Sequence, residues 1–274
     1  MRLDTHDAIL IGCQAILHRH SQLATFFVSS NYGMALNRSL LPLVLVVMLS
    51  VSLLFHFEAT SIMKRARPYI KPIPPVRTRD DLGKLLESEG FTVGIELGVQ
   101  SGYYSKTILS HWKSCERYYL VDIWQQQENY MDGANVNNHQ QESLFKGAQA
   151  LLKPWQDKAV FLRKYTSQAV HDVPDNSVDF VYVDARHDYC GATEDIELYW
   201  PKLKAGGLMT GHDYKLASEG PAGDDWSVCA DGSKHPGAVR GAVDEFAAKH
   251  GFQVVVTYRD DWNTWMIRKP GVNQ

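Results

Sequence analysis

The fold is indicated most strongly by the stretch Val93-Gly-Ile-Glu-Leu-Gly-Val-Gln-Ser-Gly-Tyr-Tyr-Ser-Lys-Thr-Ile-Leu109. An apolar run ends at a glycine-spaced turn and apolar residues then recur with helical spacing, which predicts a strand, a tight loop and a helix. Gly98 and Gly102 allow positive φ and let a ligand approach the backbone without a Cβ in the way. The helix N-terminus adds free N–H groups. The stretch therefore predicts a ligand-holding loop, although a packing turn without a ligand would have the same glycines.

A second apolar run ends at Asp122, 24 residues after Gly98. An acidic side chain at the end of a second strand can accept hydrogen bonds from a ribose diol. The two strand ends thus predict one cofactor site, with a solvated turn acid as the alternative for Asp122. The glycine pattern is E-x-G-x-x-x-G, with Glu96 as its acidic residue, and differs from the G-x-G-x-x-G of dinucleotide binders.

At these residues the sequence resembles the class I S-adenosylmethionine (SAM) dependent methyltransferases, whose first motif has this acidic residue, these glycines and an acidic residue ending the second strand. The resemblance covers about residues 92–247. It is most specific where the fourth predicted strand ends in D-x-x-H-x-Y, from Asp184, and the fifth ends in H-D, at His212 and Asp213. In related O-methyltransferases, the resemblance implies, carboxylates at these two strand ends hold Mg²⁺, which draws the substrate hydroxyls close to the sulfonium.

The composition limits the class of protein. The chain has 274 residues, is 45% hydrophobic and carries a formal net charge of −3. These values suit one α/β domain with an appendage and give no bias toward nucleic acid. The four cysteines are widely spaced without a C-x-x-C pair, so we expect four ordinary thiols, with a bridge between Cys190 and Cys229 as the conceivable exception.

The N-terminal third has a different character. Residues 1–38 show no clear periodicity and are expected to be a disordered tail. Residues 39–57 contain no Lys, Arg, Asp or Glu, and their length is close to that of a spanning helix, so we expect a single-pass membrane anchor. A cleaved signal starting at Met34, an over-extended gene model and a buried core helix are the alternatives. The basic residues after the span favour a cytosolic catalytic domain, whereas a signal-anchor starting at Met34 would place it in a lumen.

A proline-rich, basic linker over residues 58–77 leads to a domain over residues 78–274. There we predict helices over 79–89, 103–112, 140–152, 167–171, 192–203 and 239–250, and strands over 92–97, 118–123, 159–163, 178–183, 207–210, 253–257 and 265–268. This alternation predicts a doubly wound parallel sheet. The last two strands are joined by residues 258–264, too few for a helical crossover, so they must pair antiparallel. A Rossmann-like seven-stranded sheet with one antiparallel strand is also what the resemblance implies.

Ligands of an open parallel sheet bind outside the carboxyl ends of its strands, where five successive predicted strands carry polar or ring-bearing residues. The residues assigned to the cofactor are Glu96, Gly98, Gly102, Asp122, Trp124, Ser167 and Asp184. Glu96 would orient the loop and the amino acid end of SAM, Trp124 would lie against the adenine, and Ser167 would lie near the adenine edge. Core packing for Trp124 and a helix N-cap for Ser167 are the alternatives.

The chemistry is assigned to the fourth and fifth strand ends. Adjacent strand ends lie about 5 Å apart, so Asp184 and Asp213 can reach one hard cation, with His212 as a softer third ligand. Asp184 and His187 are the catalytic candidates, because a histidine with a pKa of about 6.5 can take a proton from a hydroxyl at neutral pH. A structural histidine and a turn aspartate are the alternatives for His187 and Asp213.

Two further features concern the acceptor. Tyr189 and Tyr214 would wall the pocket, with plain packing as the alternative. Residues 215–237 form a long insertion rich in Gly, Asp and Ser, and we expect a lid over the acceptor or, alternatively, a surface loop.

Together these patterns predict a membrane-anchored methyltransferase that moves a methyl group from SAM to a hydroxyl of a small-molecule or carbohydrate acceptor, with Mg²⁺ as a candidate cofactor. The sequence does not fix the acceptor, the need for a metal or the oligomeric state. A nicotinamide-dependent oxidoreductase is the second enzyme class, disfavoured by the missing G-x-G-x-x-G. A non-catalytic SAM-binding protein is the alternative of another kind, and it would be favoured if His187 and Asp213 pointed away from the pocket.

Overall fold

A computed structural model describes residues 70–271 of the chain. They contain a seven-stranded sheet in the order β3-β2-β1-β4-β5-β7-β6. The strands are β1 Val93–Leu97, β2 Arg117–Asp122, β3 Ala159–Arg163, β4 Val178–Val183, β5 Leu203–Gly211, β6 Val255–Val256 and β7 Trp265–Arg268. Strands β1 to β5 are parallel, and β7 is antiparallel to both β5 and β6. The predicted sheet with one reversed strand is confirmed.

Six α-helices connect and cover the strands of this part of the chain. They are α1 Leu82–Glu89, α2 Tyr103–His111, α3 Asn138–Leu151, α4 Thr166–Ala169, α5 Tyr189–Tyr199 and α6 Ala238–His250. Short 3-10 turns precede α1 and extend α4 and α5, so the predicted helices there are longer than the α-helices. The side chains of Asn137 and Asp188 accept hydrogen bonds from backbone N–H groups of α3 and α5, which sets the start of each helix.

Each face of the sheet packs against its own apolar cluster. Along β4, Val181 belongs to one cluster and Phe180 to the other, as the two-residue period of a strand requires. The first cluster includes Val243 of α6, and the second includes Leu86 of α1 and Ile108 of α2. The parallel strands are thus covered on both faces, which leaves their carboxyl ends as the place where a ligand can reach the sheet.

The register brings the polar strand ends side by side. Leu97 pairs with both Val121 and Val183, and Val183 pairs with Gly211. The hydrogen-bond ladder continues past the strands, because Asp184 N–H donates to the Leu97 carbonyl at 2.7 Å and His212 N–H donates to the Val183 carbonyl at 3.1 Å. The residues that follow β1, β2, β4 and β5 are therefore fixed by backbone pairing.

The predicted tail over 1–38, the predicted anchor over 39–57 and most of the predicted linker over 58–77 lie outside the described residues. Across residues 70–271, every helix is too short or too polar to cross a membrane. The predicted single-pass membrane localisation is wrong on this finding. Val76, inside the predicted linker, is only 4% exposed and packs with α1 and α2 residues, so the packed unit extends before residue 78.

The expectation of four ordinary thiols is also wrong. Cys190, at the start of α5, forms a disulfide with Cys229, 39 residues further along the chain. The bridge forms because the segment after β5 folds back over the start of α5, a proximity that cysteine spacing does not reveal. Cys115 is a buried free thiol.

Candidate functional site

A cavity of about 570 Å³ opens at the carboxyl ends of the parallel strands. Eight of the ten predicted site residues line it. They are Glu96, Gly98, Asp122, Ser167, Asp184, His187, His212 and Asp213. Most of the residues predicted from the strand ends therefore lie at one site. Gly102 and Trp124 are the exceptions.

Gly98 is required by the backbone geometry at the floor of the cavity. Its φ is +88°, and an added Cβ would lie 1.9 Å from the carbonyl oxygen of Asp184. Gly102 has a φ of +77° and precedes α2, but its free side faces α3, where an added Cβ would lie 3.2 Å from Ala148. Gly98 therefore lets the ends of β1 and β4 pack closely at the cavity, whereas Gly102 lets two helices pack closely.

Asp122 braces the glycine loop. Its Oδ2 accepts hydrogen bonds from the backbone N–H groups of Val99 at 3.0 Å and Gln100 at 2.8 Å, and its Oδ1 accepts from Trp124 N–H at 2.7 Å. Burial raises the pKa of the Asp122 carboxyl, and these three bonds oppose that rise. A ribose contact would use the remaining lone pairs of the same carboxylate and stays a prediction.

Glu96 lies beneath the loop and is almost fully buried. Its Oε2 accepts hydrogen bonds from Ser105 Oγ at 2.7 Å and from the Tyr118 hydroxyl at 2.9 Å. Burial raises the pKa of Glu96 to about 8 in spite of these bonds. A cationic ligand beside Glu96 would favour its charged form.

Trp124 does not line the cavity, which corrects its assignment to the adenine. Its ring is 1% exposed, with its centroid 4.7 Å from that of Phe145 and 6.0 Å from that of Phe161. The backbone at Trp124 turns into the left-handed region, with φ +45°, and the side chain enters the core. Ser167 lies within the first turn of α4, so it does not cap that helix.

Tyr189 and Tyr214 bind α6 instead of walling the pocket. The Tyr189 hydroxyl donates to Glu245, and the Tyr214 hydroxyl donates to Asp244. The ring of Tyr189 also stacks on His235, with centroids 3.6 Å apart. Both tyrosines therefore hold elements together, and the alternative of plain packing is the one that the structure supports.

His187 lies at the centre of a partly buried charge cluster. Its Nδ1 is 2.7 Å from Oδ2 of Asp132, and its Nε2 is 3.2 Å from Oδ2 of Asp213 and 3.4 Å from Oδ1 of Asp184. Burial lowers the pKa of His187, but the bonds to Asp132 and Asp184 and the charge of Asp213 raise it well above the usual value. These contacts favour the protonated imidazolium, and the role of His187 as a general base stays a prediction.

Asp132 is the functional candidate that sequence reasoning missed. Burial would raise its pKa, but the hydrogen bond and charge of His187, the Ala134 N–H and the Trp226 indole lower it to about 2. Its Oδ2 accepts from Trp226 Nε1 at 2.8 Å, and its Oδ1 accepts from Ala134 N–H at 2.7 Å. Asp132 follows no strand and belongs to no motif in the sequence, so neither pattern could identify it.

The insertion after β5 lines the part of the cavity next to His187. Pro221, Asp224, Trp226 and Ala230 line the cavity, and the ring of Trp226 lies with its centroid 4.6 Å from that of His187. The insertion is tied down by the Cys190–Cys229 disulfide and by a β-bridge between Met131 and Asp225. The predicted lid segment therefore lies where a lid would act.

Asp184, His212 and Asp213 offer three potential metal-ligand atoms within 4.8 Å of one another. His212 Nδ1 is 3.0 Å from Oδ1 of Asp213 and 4.0 Å from Oδ1 of Asp184. Burial raises the pKa of Asp213, but the hydrogen bond from His212 and the charges of His187 and His212 lower it overall, so this group is an anion at neutral pH. Two carboxylates and one imidazole suit a divalent cation that keeps several waters.

Comparisons with known proteins agree with this geometry. A family model described as a methyltransferase domain matches residues 95–214. A Staphylococcus aureus structure, named as a candidate caffeoyl-CoA O-methyltransferase, is 15% identical, with a TM-score of 0.50 over 80% of this chain and 92% of that chain. A Bacillus cereus O-methyltransferase in complex with SAH is 12% identical, with a TM-score of 0.48 over 78% of this chain and 88% of that chain.

A curated relative, an uncharacterized protein of Sinorhizobium fredii, is 28% identical over 102 residues, which are 37% of this chain. The match covers 10% of that relative, so the chain spans only about a tenth of its length. The fold of residues 70–271 is shared with the Staphylococcus aureus structure, and residues 95–214 match the methyltransferase domain model.

Proposed function

We propose that this protein transfers a methyl group from SAM to a hydroxyl oxygen of a small-molecule or carbohydrate acceptor. The observation that carries the proposal is one cavity that joins the Gly98 loop to the cluster of Asp184, His187 and Asp213. A cofactor loop and a set of proton-holding groups at the same sheet edge are the two parts that methyl transfer to a hydroxyl requires.

The residues of the cavity fit SAM. Gly98 lines the cavity, and glycine there lets the loop lie against the backbone of Asp184, where a Cβ would collide. Asp184 provides negative charge for a cofactor that carries a sulfonium and an ammonium group, and such a cation beside Glu96 would favour the charged form of that side chain. When bound, SAM supplies an electrophilic methyl group. We assign Asp122 to the ribose and Ser167 to the adenine edge.

The chain's own residues align the acceptor, exclude water and hold a proton. We assign the proton of the resting cluster to His187, because Asp132, Asp184 and Asp213 all surround its ring nitrogens. A hydroxyl that binds Asp184 or Asp213 weakens the hold of that carboxylate on His187 Nε2. The proton released by the acceptor then passes to the Asp184 or Asp213 carboxylate oxygen that bound the hydroxyl, as the methyl group leaves SAM and SAH remains. Trp226 shields the cluster from solvent, since it is only 3% exposed.

We also propose that a divalent cation, with Mg²⁺ as the first candidate, binds Asp184, His212 and Asp213. The three donor atoms are close enough to share one ion. A cation there would supply Lewis-acid polarisation of an acceptor hydroxyl. The imidazole donor also suits Mn²⁺ or Zn²⁺, so manganese and zinc belong in the same test.

The test is calorimetric titration of the full chain with SAM, SAH and NAD, followed by methyl transfer from isotope-labelled SAM to a panel of phenols, sugars and small hydroxyl metabolites. We expect SAM and SAH to bind and NAD not to bind. Asp122→Ala should weaken SAM binding by about 1–3 kcal/mol. Binding of NAD in place of SAM would favour the oxidoreductase alternative.

The remaining alternative is a protein that binds SAM without catalysis. His187 and Asp213 both line the cavity, so the arrangement that would favour this alternative does not occur. SAM binding with no methyl transfer to any hydroxyl in the panel would nevertheless argue for it.

A further inference from the structure

Arg79 lies before α1 yet lines the cavity at the far end of the sheet. Its backbone N–H donates to Oδ2 of Asp260 at 2.8 Å, and Arg259 N–H donates to the carbonyl of Arg77 at 2.9 Å. The segment is therefore held against the β6–β7 loop, and the Arg79 guanidinium lies 5.2 Å from the ring centroid of Tyr104. A residue outside every strand thus brings a permanent positive charge to the site.

This positive charge is loosely paired. The shortest ion pair of Arg79 is with Oδ2 of Asp184 at 3.8 Å, longer than a hydrogen bond. The neighbouring residue Tyr104 lines the same cavity, and its hydroxyl is buried without a hydrogen-bond partner among residues 70–271. Buried polar groups of this kind usually bind a ligand or water. The region around Arg79 therefore has unused hydrogen-bonding capacity.

The other Lys and Arg side chains lining the cavity are already engaged. Lys164 pairs with Asp172 at 2.5 Å. Arg186 pairs with Asp188 at 2.6 Å and donates to the Asn129 carbonyl at 2.9 Å. Within the described residues, Arg79 is therefore the lining guanidinium or ammonium group whose donors are least used.

An α-amino acid carries an ammonium and a carboxylate on one carbon, so its binding site needs an anion and a cation side by side. Asp184 and Arg79 provide this pair at 3.8 Å, next to Gly98 in the same cavity. We propose that Arg79 binds the methionyl carboxylate of SAM while Asp184 faces its ammonium group. The planar guanidinium suits bidentate binding of a carboxylate. The inference rests on the proposed function, because it assigns one part of the same cofactor.

The test compares SAM with decarboxylated SAM, which lacks only the carboxylate, by calorimetry on the full chain. Wild type should bind SAM about 10- to 100-fold more tightly than the decarboxylated compound, as loss of a charge-assisted bond predicts. In Arg79→Met this ratio should fall to about 1, with binding of the decarboxylated compound nearly unchanged. Arg79→Lys, which keeps the charge, should retain part of the preference.

Arg77→Met is the matched control, since Arg77 is exposed, pairs with Asp81 at 3.3 Å and does not line the cavity. It should keep the wild-type ratio. An unchanged ratio in Arg79→Met, or equal weakening of both compounds, would overturn the assignment of Arg79 while leaving SAM binding intact. Failure of wild type to bind SAM would instead reject the proposed function, and this inference with it.

Discussion

The replacement Asp132→Asn tests whether a loop carboxylate holds the proton of the partly buried cluster. Asparagine has nearly the same shape, but it cannot provide the negative charge next to His187 Nδ1 at 2.7 Å. It still offers an oxygen to the Trp226 indole or the Ala134 N–H. The change therefore removes a charge while leaving the packing in place.

The magnitude follows from the pKa of Asp132, which the folded protein lowers from 3.8 to about 2. A depressed carboxyl pKa stabilises the folded state at pH values above the unfolded pKa, and this contribution is lost as the pH falls toward 2. At pH 7, a shift of this size corresponds to about 2 kcal/mol of folding free energy. We expect Asp132→Asn to lose about that amount, measured by urea unfolding with the disulfide intact.

The contribution of His187 to folding stability depends on pH in the opposite direction to that of Asp132. Its pKa is raised in the folded state, so its contribution is complete below about pH 6.5 and is lost as the pH rises through the folded value. Wild-type stability should thus fall above pH 6.5 by up to about 1.4 kcal/mol per pH unit from this group. The slope should be shallower in Asp132→Asn, because the nearest anion of the imidazolium is gone.

Asp157→Asn serves as the control, because Asp157 is exposed and no hydrogen bond or ion pair involves its side chain within residues 70–271. Its unfolding curves should overlie those of wild type from pH 6 to pH 9. Parallel pH profiles of unfolding free energy for wild type and Asp132→Asn would refute the reasoning, because Asp132 would then have no effect on the pKa of His187. SAM affinity should be unchanged in Asp132→Asn while methyl transfer falls, which separates proton placement from cofactor binding.

Gly98→Ala should lose SAM binding and about 3 kcal/mol or more of stability, because its Cβ would lie 1.9 Å from a carbonyl oxygen. Gly90→Ala is the control, because Gly90 has a φ of +68° and lies in open space, and it should cost only about 1 kcal/mol in urea unfolding. Reduction of Cys190–Cys229 should cost about 3–4 kcal/mol, seen as a lower urea midpoint with dithiothreitol, and a Cys229→Ser variant should be insensitive to the reductant. Methyl transfer should fall on chelation and return with Mg²⁺ if Asp184 and Asp213 are ligands, and full activity in excess EDTA would contradict the metal proposal.

The sheet was predictable from the sequence because its signals are local. An apolar run marks each buried strand, and residues 258–264 are too few for a crossover, which fixes the antiparallel pair. The predicted strand bounds are less accurate at the edge of the sheet. β6 contains only Val255–Val256, where residues 253–257 were predicted, because an edge strand pairs on one side only. β5 begins four residues early, at Leu203, with a shift of register between Val178 and Phe180 of β4.

The site was predictable only where backbone pairing determines position. Asp184 and Asp213 follow strands, so topology alone brings them together. Arg79 and Asp132 reach the cavity from loops, and nothing in a single sequence gives the path of a loop. The prediction that Trp124 lies against the adenine was wrong for a related reason, because the left-handed backbone conformation at this residue changes the direction of its side chain. The proximity of Cys190 to Cys229 depends on the fold of an insertion that has no periodic pattern.

The residues placed by strand pairing and the residues placed by loops have different tasks in the proposed reaction. Gly98 and Asp122 are held by strand pairing and by backbone hydrogen bonds, so the glycine loop is fixed to the sheet. The proposed acceptor side of the cavity depends on Asp132 and Trp226, which come from two loops joined by their own hydrogen bond at 2.8 Å. Displacement of either loop would remove a partner from the His187 cluster while leaving the glycine loop intact. In the proposed function Asp184 serves both the cofactor and the His187 cluster, whereas Asp132 and Trp226 serve the cluster alone, so variation in their two loops can change the acceptor while the glycine loop stays in place.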